Sequence, residues 1–412
     1  MAAADATEGL ADETRTFWST PLGPVVHRTA DHVYVVKAGG DGEYRGGQEF
    51  LAMMRAKTLA EWKAAVAMRG RSTSNLTYAD RAGNIFHIWN ASIPSLPIAS
   101  GGDSVPVMAR TSSDVWNHLV PVDSLPQNLN PPGGYLQNEN DAPYYTNLRR
   151  ILDTTKYPNY FERPAFNLRG QHAVSLIDNN RKLSLEDVVK LKHSYRMLLA
   201  DRVKDELLRG ARSRDSLADA VKVLAAWDNT VAPESRGGVL FQAWWQRYLQ
   251  QARDSAYAEK WTQARITATP RGLGKQDLAV DARAWAVADT KRRFGAIDVA
   301  WGDVHRVRRG DVDVPVGGCS GLLGCFRVLN YADAPDGKRV ANSGDGWVLA
   351  VEFGAKGPRA YSVLAYGQSP DSTNAHHADQ AAMFARGELK TVRFTQADVK
   401  AHTQREYRPG QP

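Results

Sequence analysis

Residues 133–147 read GGYLQNENDAPYYTN, in which Gln137, Asn138, Asn140 and Asp141 lie close to three tyrosines. Each side-chain amide carries two N–H donors and a carbonyl acceptor, so a buried amide needs partners. An amide that faces a cleft can instead offer its N–H groups to a substrate. This amide-rich segment is therefore either a polar surface loop or a preorganised site of hydrogen-bond donors.

Other common catalytic motifs are missing from the sequence. The chain has no GxxxxGK[ST] phosphate-binding loop, no GxSxG nucleophile elbow and no HExxH zinc-binding helix. His376, His377 and Asp379 in STNAHHADQ could bind a metal, but without a further ligand at metal-site spacing they are more typical of a hydrogen-bonded turn. The sequence predicts neither a metal site nor a cofactor.

Composition and charge narrow the class of protein. The chain has 412 residues, of which 43% are hydrophobic and 24% charged, which is enough for a sizeable core. Its net charge of +7 comes from 52 basic and 45 acidic residues without a long basic run, so charge alone does not indicate a nucleic-acid partner. We predict no membrane span and no export signal, because the chain lacks a long apolar stretch and its start, MAAADATEGLADETRTFW, lacks a basic-then-apolar pattern.

The two cysteines of the chain are close together in a glycine-rich stretch. Cys319 and Cys325 lie in VGGCSGLLGCF. Two cysteines are too few for a disulfide framework, and their spacing is not that of a zinc site. They are interpreted either as two buried thiols or as one local bridge across the turn.

The pattern of apolar residues divides the chain into three stretches. Residues 16–167 combine β-like runs with a helical insert, residues 168–310 are mainly helical, and residues 311–412 return to strands. Because strands and helices follow in blocks rather than in regular alternation, the sequence predicts an α+β fold. We expect residues 1–15 to form a poorly ordered start and residues 16–412 to form one structural unit.

Several elements can be assigned within these stretches. GGQEFLAMMRAKTLAEWKAAVAMRG predicts two short helices, and Ser184 before Asp187 predicts a helix N-cap. ADTKRRFGAIDVAWGDVHRVRRG is predicted to be helical, whereas GWVLAVEF and RAYSVLAYGQS are typical of strands. The tryptophans of the helical region are interpreted as core packing: Trp227, Trp244, Trp245 and Trp261.

Several stretches carry a family resemblance. They are LGPVV at 22–26, NLTYADRAGNI at 75–85, NPPGGYLQNENDAP at 130–143, LSLEDVVKL, VLAAWDNT and the tail YGQSPDSTNAHHADQAAMFARGELKTVRFT at 366–395. In these stretches the chain resembles the penicillin acylase family of N-terminal-nucleophile hydrolases, which includes aculeacin, cephalosporin and acyl-homoserine-lactone acylases. The stretches follow the family's order over nearly the whole chain, and those at 130–143 and 366–395 are the most specific.

This resemblance implies an αββα sandwich, here partial and with an added helical layer. It also implies an amidohydrolase that cleaves a small-molecule acyl amide through an acyl-enzyme intermediate and without a cofactor. Family members are periplasmic or secreted, are cleaved from a precursor into an α chain and a β chain, and use the first residue of the β chain as nucleophile. The chain resembles the C-terminal part of the β chain.

The resemblance therefore implies a truncated chain that lacks the nucleophile. We expect it to be inactive alone and to need a family-type α chain and the first part of the β chain as partners. Ser74-Asn75 copies the family's cleavage dipeptide, but it lies in a segment that matches a later strand-turn-strand, so a structural role is favoured. The alternative is a non-catalytic binding or scaffold protein that retains the fold.

The resemblance also assigns roles to individual residues. In the family an asparagine of the amide-rich segment donates an N–H to the developing oxyanion, and the matching residue is Asn140. Asn138 is the alternative register, and Gln137 is interpreted as supporting structure. Arg169 in NLRGQHAVSLI matches an arginine that holds the asparagine and the nucleophile's terminus, although a surface ion pair is the simpler interpretation. Arg163 is the alternative arginine.

Substrate-binding residues are less clearly indicated. In the family the acyl pocket is lined largely by parts of the enzyme that this chain does not match, so the acyl and amine specificity cannot be assigned. Tyr144 and Tyr145 either reach the rim of a cleft or, more simply, pack in the interior.

Overall fold

The computed structural model describes residues 13–97, 105–179, 181–211, 217–408 and 410. The chain divides into two compact units. The first unit comprises the described residues of Met1–Tyr78, His87–Asn128 and Asp153–Arg163. The second unit comprises the described residues of Ala79–Phe86, Leu129–Leu152 and Pro164–Pro412. Of the predicted poorly ordered start, residues 1–12 lie outside the described residues. That residues 16–412 form one structural unit stays a prediction.

The first unit contains two short helices and most of two small sheets. Its helices are α1 (Gly46–Arg55) and α2 (Leu59–Val66). The strands are β1 (Ser19–Thr20), β2 (Gly23–Arg28), β3 (Val33–Val35), β4 (Thr73–Ala79), β5 (Ile85–Ala91) and β6 (Gln127–Leu129). Strands β1, β2 and β3 form one sheet in this order, and β4, β5 and β6 form another. Single 3-10 turns lie at Ser112–Asp114, Val122–Ser124 and Thr154–Lys156.

The helical insert of the first unit forms the two predicted helices. The side chain of Thr58 caps α2 by accepting a hydrogen bond from the backbone N–H of Glu61 at 3.2 Å. Glu49 of α1 is buried, and its carboxylate accepts from the backbone N–H of Gly70 at 2.6 Å and from the side-chain amide of Asn90 at 3.3 Å. Because Asn90 belongs to β5, these buried contacts fasten the insert to the sheet.

The second unit contains the predicted helical region. Its helices are α3 (Leu168–Ile177), α4 (Leu185–Lys192), α5 (Leu198–Ala211), α6 (Ala218–Ala226), α7 (Gly238–Ala252), α8 (Gln276–Phe294), α9 (Trp301–Val304), α10 (Ala381–Arg386) and α11 (Gln396–Ala401). Single 3-10 turns lie at Pro143–Tyr145, Arg253–Ser255, Gln263–Arg265 and Gly321–Leu323. The predicted cap of α4 is confirmed, since Ser184 and Asp187 exchange side-chain-to-backbone hydrogen bonds, both at 3.1 Å. In the described part of the chain, no helix combines the length and the apolar character needed to cross a membrane.

Aromatic side chains fill the core of the helical region. Trp244 is fully buried, its indole N–H donates to a backbone carbonyl of α8 at 2.9 Å, and its ring stacks on Tyr248 with 5.7 Å between ring centroids. Trp227 and Trp245 are also buried, and Trp261 is half-buried. The interpretation of these tryptophans as packing residues is confirmed, because large rings with satisfied N–H groups add apolar burial to the core.

Three small sheets complete the second unit. Their strands are β7 (Tyr257–Glu259), β8 (Arg271–Leu273), β9 (His305–Arg309), β10 (Val312–Pro315), β11 (Leu329–Asp333), β12 (Arg339–Gly344), β13 (Trp347–Gly354), β14 (Gly357–Leu364) and β15 (Lys390–Thr391). Strands β7 and β8 pair, β10, β9, β12 and β11 pair in that order, and β13, β14 and β15 form the third sheet. The strands predicted from GWVLAVEF and RAYSVLAYGQS are confirmed as β13 and β14.

The prediction of a continuous helix over ADTKRRFGAIDVAWGDVHRVRRG is wrong in its middle, where α8 ends before Gly295 with a φ of +80°, and at its C-terminal end. The last residues form β9, in which Val307 is buried while Arg306 and Arg308 pair with Asp313 of β10 at 2.7 and 3.0 Å. Gly310 makes the turn between the two strands with a φ of +54°. Cross-strand pairing and this turn therefore outweigh the local helical preference of the stretch.

One face of β13 exposes apolar side chains. Alternate residues of this strand point to one face and are 61%, 44%, 41% and 49% exposed, namely Trp347, Leu349, Val351 and Phe353. The intervening Val348 and Ala350 are buried. Among the described strands, β13 is at the outer edge of its sheet. An apolar face on an edge strand is typical of a surface that associates with other polypeptide.

We expect the 412-residue chain to self-associate and to bind a hydrophobic dye through this face. Leu349→Ser combined with Phe353→Ser removes apolar surface without changing the buried face of β13. Dye fluorescence and the apparent mass by light scattering should therefore both fall, while the thermal transition is retained. Leu249→Ser, at a leucine of α7 that is 43% exposed, is the matched control and should change neither quantity. Unaltered dye binding in the double variant would exclude this face as the cause.

Candidate active site

The amide-rich segment has a defined shape because its own hydrogen bonds hold it. Gln137 is buried, its backbone N–H donates to the carbonyl of Thr146 at 2.9 Å, and its Nε2 donates to the carbonyl of Tyr145 at 2.8 Å. Asn147 donates to the carbonyl of Tyr135 and to that of Pro132, just before the segment, both at 3.0 Å. Tyr144 and Tyr145 are buried, so they pack in the interior rather than reach a cleft rim. Most amides of the segment therefore build the structure that carries its exposed tip.

Asn140 lies at that exposed tip. Its φ of +61° is in the left-handed region, which asparagine tolerates because its short polar side chain bonds locally. The backbone N–H of Asn140 donates to Oδ1 of Asn138 at 2.9 Å, and Nδ2 of Asn138 donates to the carbonyl of Asp141 at 3.1 Å. The side chain of Asn138 is thus used to build the turn, whereas the side chain of Asn140 is presented outward.

The side chain of Asn140 is oriented by Arg169. Nη2 of Arg169 donates to Oδ1 of Asn140 at 2.6 Å and also to the backbone carbonyl of Glu139. A guanidinium carries donors and no acceptor, so the amide atom that it contacts is the oxygen. The Nδ2 group therefore faces the opposite way, and among the described residues it has no hydrogen-bond partner. Asn140 consequently has an N–H donor available for a bound molecule.

Arg169 is placed by the first turn of α3. Oδ1 of the N-cap residue Asn167 accepts from the backbone N–H of Gly170 at 2.9 Å. The backbone N–H of Asn167 donates in turn to Oδ1 of Asp141 at 3.2 Å. Gly170 permits this approach, since a Cβ there would lie 2.2 Å from Oδ2 of Asp141 and 2.5 Å from the ring of Phe166. The amide-rich segment and α3 are therefore joined directly at Asn167 and Gly170, on either side of Arg169.

The two cysteines form a disulfide close to α3. Cys319 and Cys325 are buried and bonded, with their Cα atoms 5.5 Å apart. Of the two alternatives left open by the sequence, the local bridge is therefore the one found. The bridge closes a short loop, residues 319–325, which contains the 3-10 turn Gly321–Leu323.

This disulfide loop packs against α3. A Cβ on Gly321 would lie 3.1 Å from Cδ of Arg169, so the loop packs against the aliphatic part of that side chain. Nδ1 of His172 lies 2.8 Å from the carbonyl of Gly324. Burial lowers the pKa of His172, so its ring is neutral at neutral pH, Nδ1 donates to Gly324, and Nε2 accepts from the hydroxyl of Ser194 at 3.1 Å. The loop thus supports the helix turn that carries Arg169.

A largely buried carboxyl group accompanies Arg169. Oε2 of Glu139 lies 3.4 Å from Nε of Arg169, and the two side chains are 19% and 18% exposed. Burial raises the pKa of Glu139 to about 7. The positive charges of Arg169 and Lys192 lower this pKa, whereas the negative charge of Asp345 raises it further. The sequence analysis missed Glu139 and the role of the disulfide loop. The position of Glu139 directly before Asn140 is the signal that could have found it.

Two other residues considered in the sequence analysis lie in the first unit. Arg163 is exposed there, whereas Arg169 contacts Asn140 in the second unit. Ser74 lies within β4, and its hydroxyl donates to the carbonyl of Thr73 at 2.7 Å. The interpretation of the segment around Ser74 as strand-turn-strand is confirmed by β4 and β5.

The histidine pair takes part in ordinary turn contacts. Nδ1 of His376 lies 2.8 Å from Oδ2 of Asp379, and Nδ1 of His377 lies 3.1 Å from the carbonyl of Ser369. Across the residues that the structure describes, no group of three or more His, Cys, Asp or Glu side chains is arranged to bind a metal ion.

Comparison with known proteins defines the class. Residues 3–401 match the family model of penicillin amidase, so the chain belongs to the penicillin amidase family. The chain is 26% identical to acyl-homoserine lactone acylase PvdQ of Pseudomonas fluorescens, over 96% of this chain and 55% of that relative. It is 23% identical to aculeacin-A acylase of Actinoplanes utahensis, over 95% of this chain and 55% of that relative. The chain thus spans about half the length of these relatives, and the resemblance inferred from the sequence is confirmed.

A solved structure shows the fold. Thermostable penicillin G acylase from Alcaligenes faecalis superposes with a TM-score of 0.61, over 97% of this chain and 79% of that one, at 20% identity. The predicted α+β class and the penicillin-acylase fold are confirmed by this similarity.

Gly170→Ala is expected to destabilise the protein by about 1–3 kcal/mol, because the added methyl group overlaps Asp141 and Phe166. Denaturant unfolding measures the change. Gly210→Ala is the matched control, since a Cβ there would have ordinary contacts no shorter than 3.5 Å. Because Gly210 lies in the last turn of α5, its substitution should change the stability by less than about 1 kcal/mol. Equal effects of the two substitutions would contradict the close approach at Gly170.

Proposed function

We propose that the chain is the oxyanion-stabilising part of an amidohydrolase that removes the acyl group from a small-molecule acyl amide. A nucleophile attacks the amide carbonyl in this reaction, and negative charge develops on the carbonyl oxygen. An N–H group that is fixed before the reaction stabilises that charge without reorganisation. Asn140 supplies this N–H, and Arg169 is its positioning residue.

The observation that carries the proposal is the 2.6 Å hydrogen bond from Arg169 to Oδ1 of Asn140. An exposed asparagine that made no such bond could turn either amide atom outward. The donor-only guanidinium removes this ambiguity and directs Nδ2 outward, as an oxyanion donor requires. Membership of the penicillin amidase family supports the same assignment.

The nucleophile is proposed to lie in polypeptide outside these 412 residues. Relatives named as acylases of an acyl-homoserine lactone and of aculeacin A are about twice as long as the matched region. The complete enzyme would contain a family-type α chain and the first part of the β chain, and would be periplasmic or secreted. Its substrate is a small-molecule acyl amide.

Substitution of Asn140 tests the proposed donor in a reconstituted enzyme, made by co-expressing this chain with the α chain and first β-chain part of a relative. Asn140→Ala should lower kcat by about 10²–10³, with a much smaller change in KM, because the donor acts where charge develops. Asn140→Asp should cause a similar loss, since it keeps the shape of the side chain and removes the N–H. Steady-state kinetics with an acyl amide reporter measures both.

Asn138→Ala is the matched control for this experiment. It removes the amide that shapes the turn, so it should lower the thermal transition and reduce kcat much less than Asn140→Ala. If Asn138→Ala abolishes turnover and Asn140→Ala is tolerated, Asn138 is the donor. If neither substitution changes kcat, the oxyanion role is wrong and a non-catalytic binding or scaffold protein becomes the better description.

The isolated 412-residue chain should hydrolyse no acyl amide above background. Phenylacetyl, glutaryl and long-chain fatty acyl amide reporters cover the main chemical classes of acyl group. Ser74→Ala should have no effect, because Ser74 is an internal residue of β4. Turnover by the isolated chain that disappears in Ser74→Ala would contradict both statements.

A further inference from the structure

We propose that Glu139 is a second positioning residue of this site, whose carboxylate holds the guanidinium of Arg169 in the orientation that fixes the amide of Asn140. The proposal rests on the function proposed above and extends it to the control of the same site by pH.

Glu139 contacts two nitrogens of the Arg169 guanidinium, one through its backbone and one through its side chain. Its backbone carbonyl accepts from Nη2, the same atom that donates to Oδ1 of Asn140 at 2.6 Å. Its carboxylate lies 3.4 Å from a second nitrogen of the guanidinium, Nε. A planar guanidinium held at two of its nitrogens cannot rotate without losing one of these contacts. The carboxylate therefore resists a rotation that would release the amide oxygen of Asn140.

The other charged groups near Glu139 are Lys192 at the end of α4 and Asp345 after β12. Nζ of Lys192 lies 2.8 Å from Oδ2 of Asp345 and donates to the carbonyl of Phe326 at 3.2 Å. Lys192 and Asp345 thus largely compensate each other. Within the described residues, Arg169 is left as the ion-pair partner of Glu139.

This arrangement makes the site sensitive to pH. Burial raises the pKa of Glu139 to about 7, so its charge changes near neutral pH. Below that pH the carboxyl group is neutral, and Arg169 is held by neutral acceptors alone. Above that pH the carboxylate is charged and the ion pair is complete. The fixation of Asn140, and with it kcat, should therefore increase as the pH rises through neutrality.

The direct test follows the side-chain amide of Asn140 by NMR. The sample is the 412-residue chain labelled with [¹⁵N]asparagine and carrying Leu349→Ser and Phe353→Ser to keep it dispersed. The Asn140 signal is identified by its loss in Asn140→Asp. We expect its chemical shift to change with a midpoint near pH 7, the value to which the pKa of Glu139 is raised. In Glu139→Gln this change should disappear.

Glu388→Gln is the matched control for the NMR experiment. Glu388 also pairs with an arginine, Arg386, at 2.8 Å, but both side chains are more than half exposed. Its substitution should leave the titration of the Asn140 signal unchanged. If the signal titrates identically in Glu139→Gln, or fails to titrate in the parent chain, Glu139 does not position Asn140 and the proposal is wrong.

The reconstituted enzyme provides a second readout. Glu139→Gln should lower kcat by about tenfold, as expected for the loss of one largely buried ion pair to Arg169, and should leave KM nearly unchanged. It should also remove the rise of kcat near pH 7 that follows Glu139, while any rise set by the nucleophile's amino group remains. Unchanged kcat and an unchanged pH profile would also overturn the proposal. If the NMR titration follows Glu139 but Asn140→Asp leaves kcat intact, the positioning stands and the oxyanion role fails.

Discussion

The arrangement of the candidate site depends on one side chain, the guanidinium of Arg169. It reaches from the first turn of α3 to a segment 29 residues earlier and binds two acceptors there, the amide oxygen of Asn140 and the carbonyl of Glu139. Because every polar atom of a guanidinium donates, this contact determines both the position and the polarity of the amide. A lysine could supply the charge, but its single rotating ammonium could not contact two acceptors and a carboxylate in a fixed plane.

The rigidity of Arg169 comes from packing behind it. Leu168, the residue before it, and both cysteines of the disulfide loop belong to the aromatic core cluster of the helical region. The core therefore supports α3 from one side and the disulfide loop from another, and Gly321 of that loop packs against the aliphatic stem of Arg169. A close-packed interior transmits position well, so large tryptophans far from the site contribute to its geometry without contacting it.

Local sequence patterns predicted those elements whose formation depends on interactions between residues close together in the sequence. The cap at Ser184, the two short helices and the strands β13 and β14 each follow from residues within one element. Strand β9 could not be predicted from local residues, because its pairing with β10 outweighs the helical preference of the stretch. Asn140 and Arg169 could be named by resemblance, but their contact could not be derived from spacing. The environment of Glu139 could not be predicted from the sequence, because the charges of Lys192 and Asp345 that act on it come from distant parts of the chain.

The left-handed backbone at Asn140 limits which residues evolution or a mutational library can place there. A φ of +61° disfavours β-branched and bulky side chains, and leaves glycine, aspartate and asparagine as the residues that fit well. Glycine has no side-chain N–H, and aspartate has acceptors where the proposed reaction needs a donor. Asparagine satisfies both the backbone and the proposed chemistry. A saturation library at this codon should therefore contain few functional variants, and new substrate preferences would have to arise at other positions.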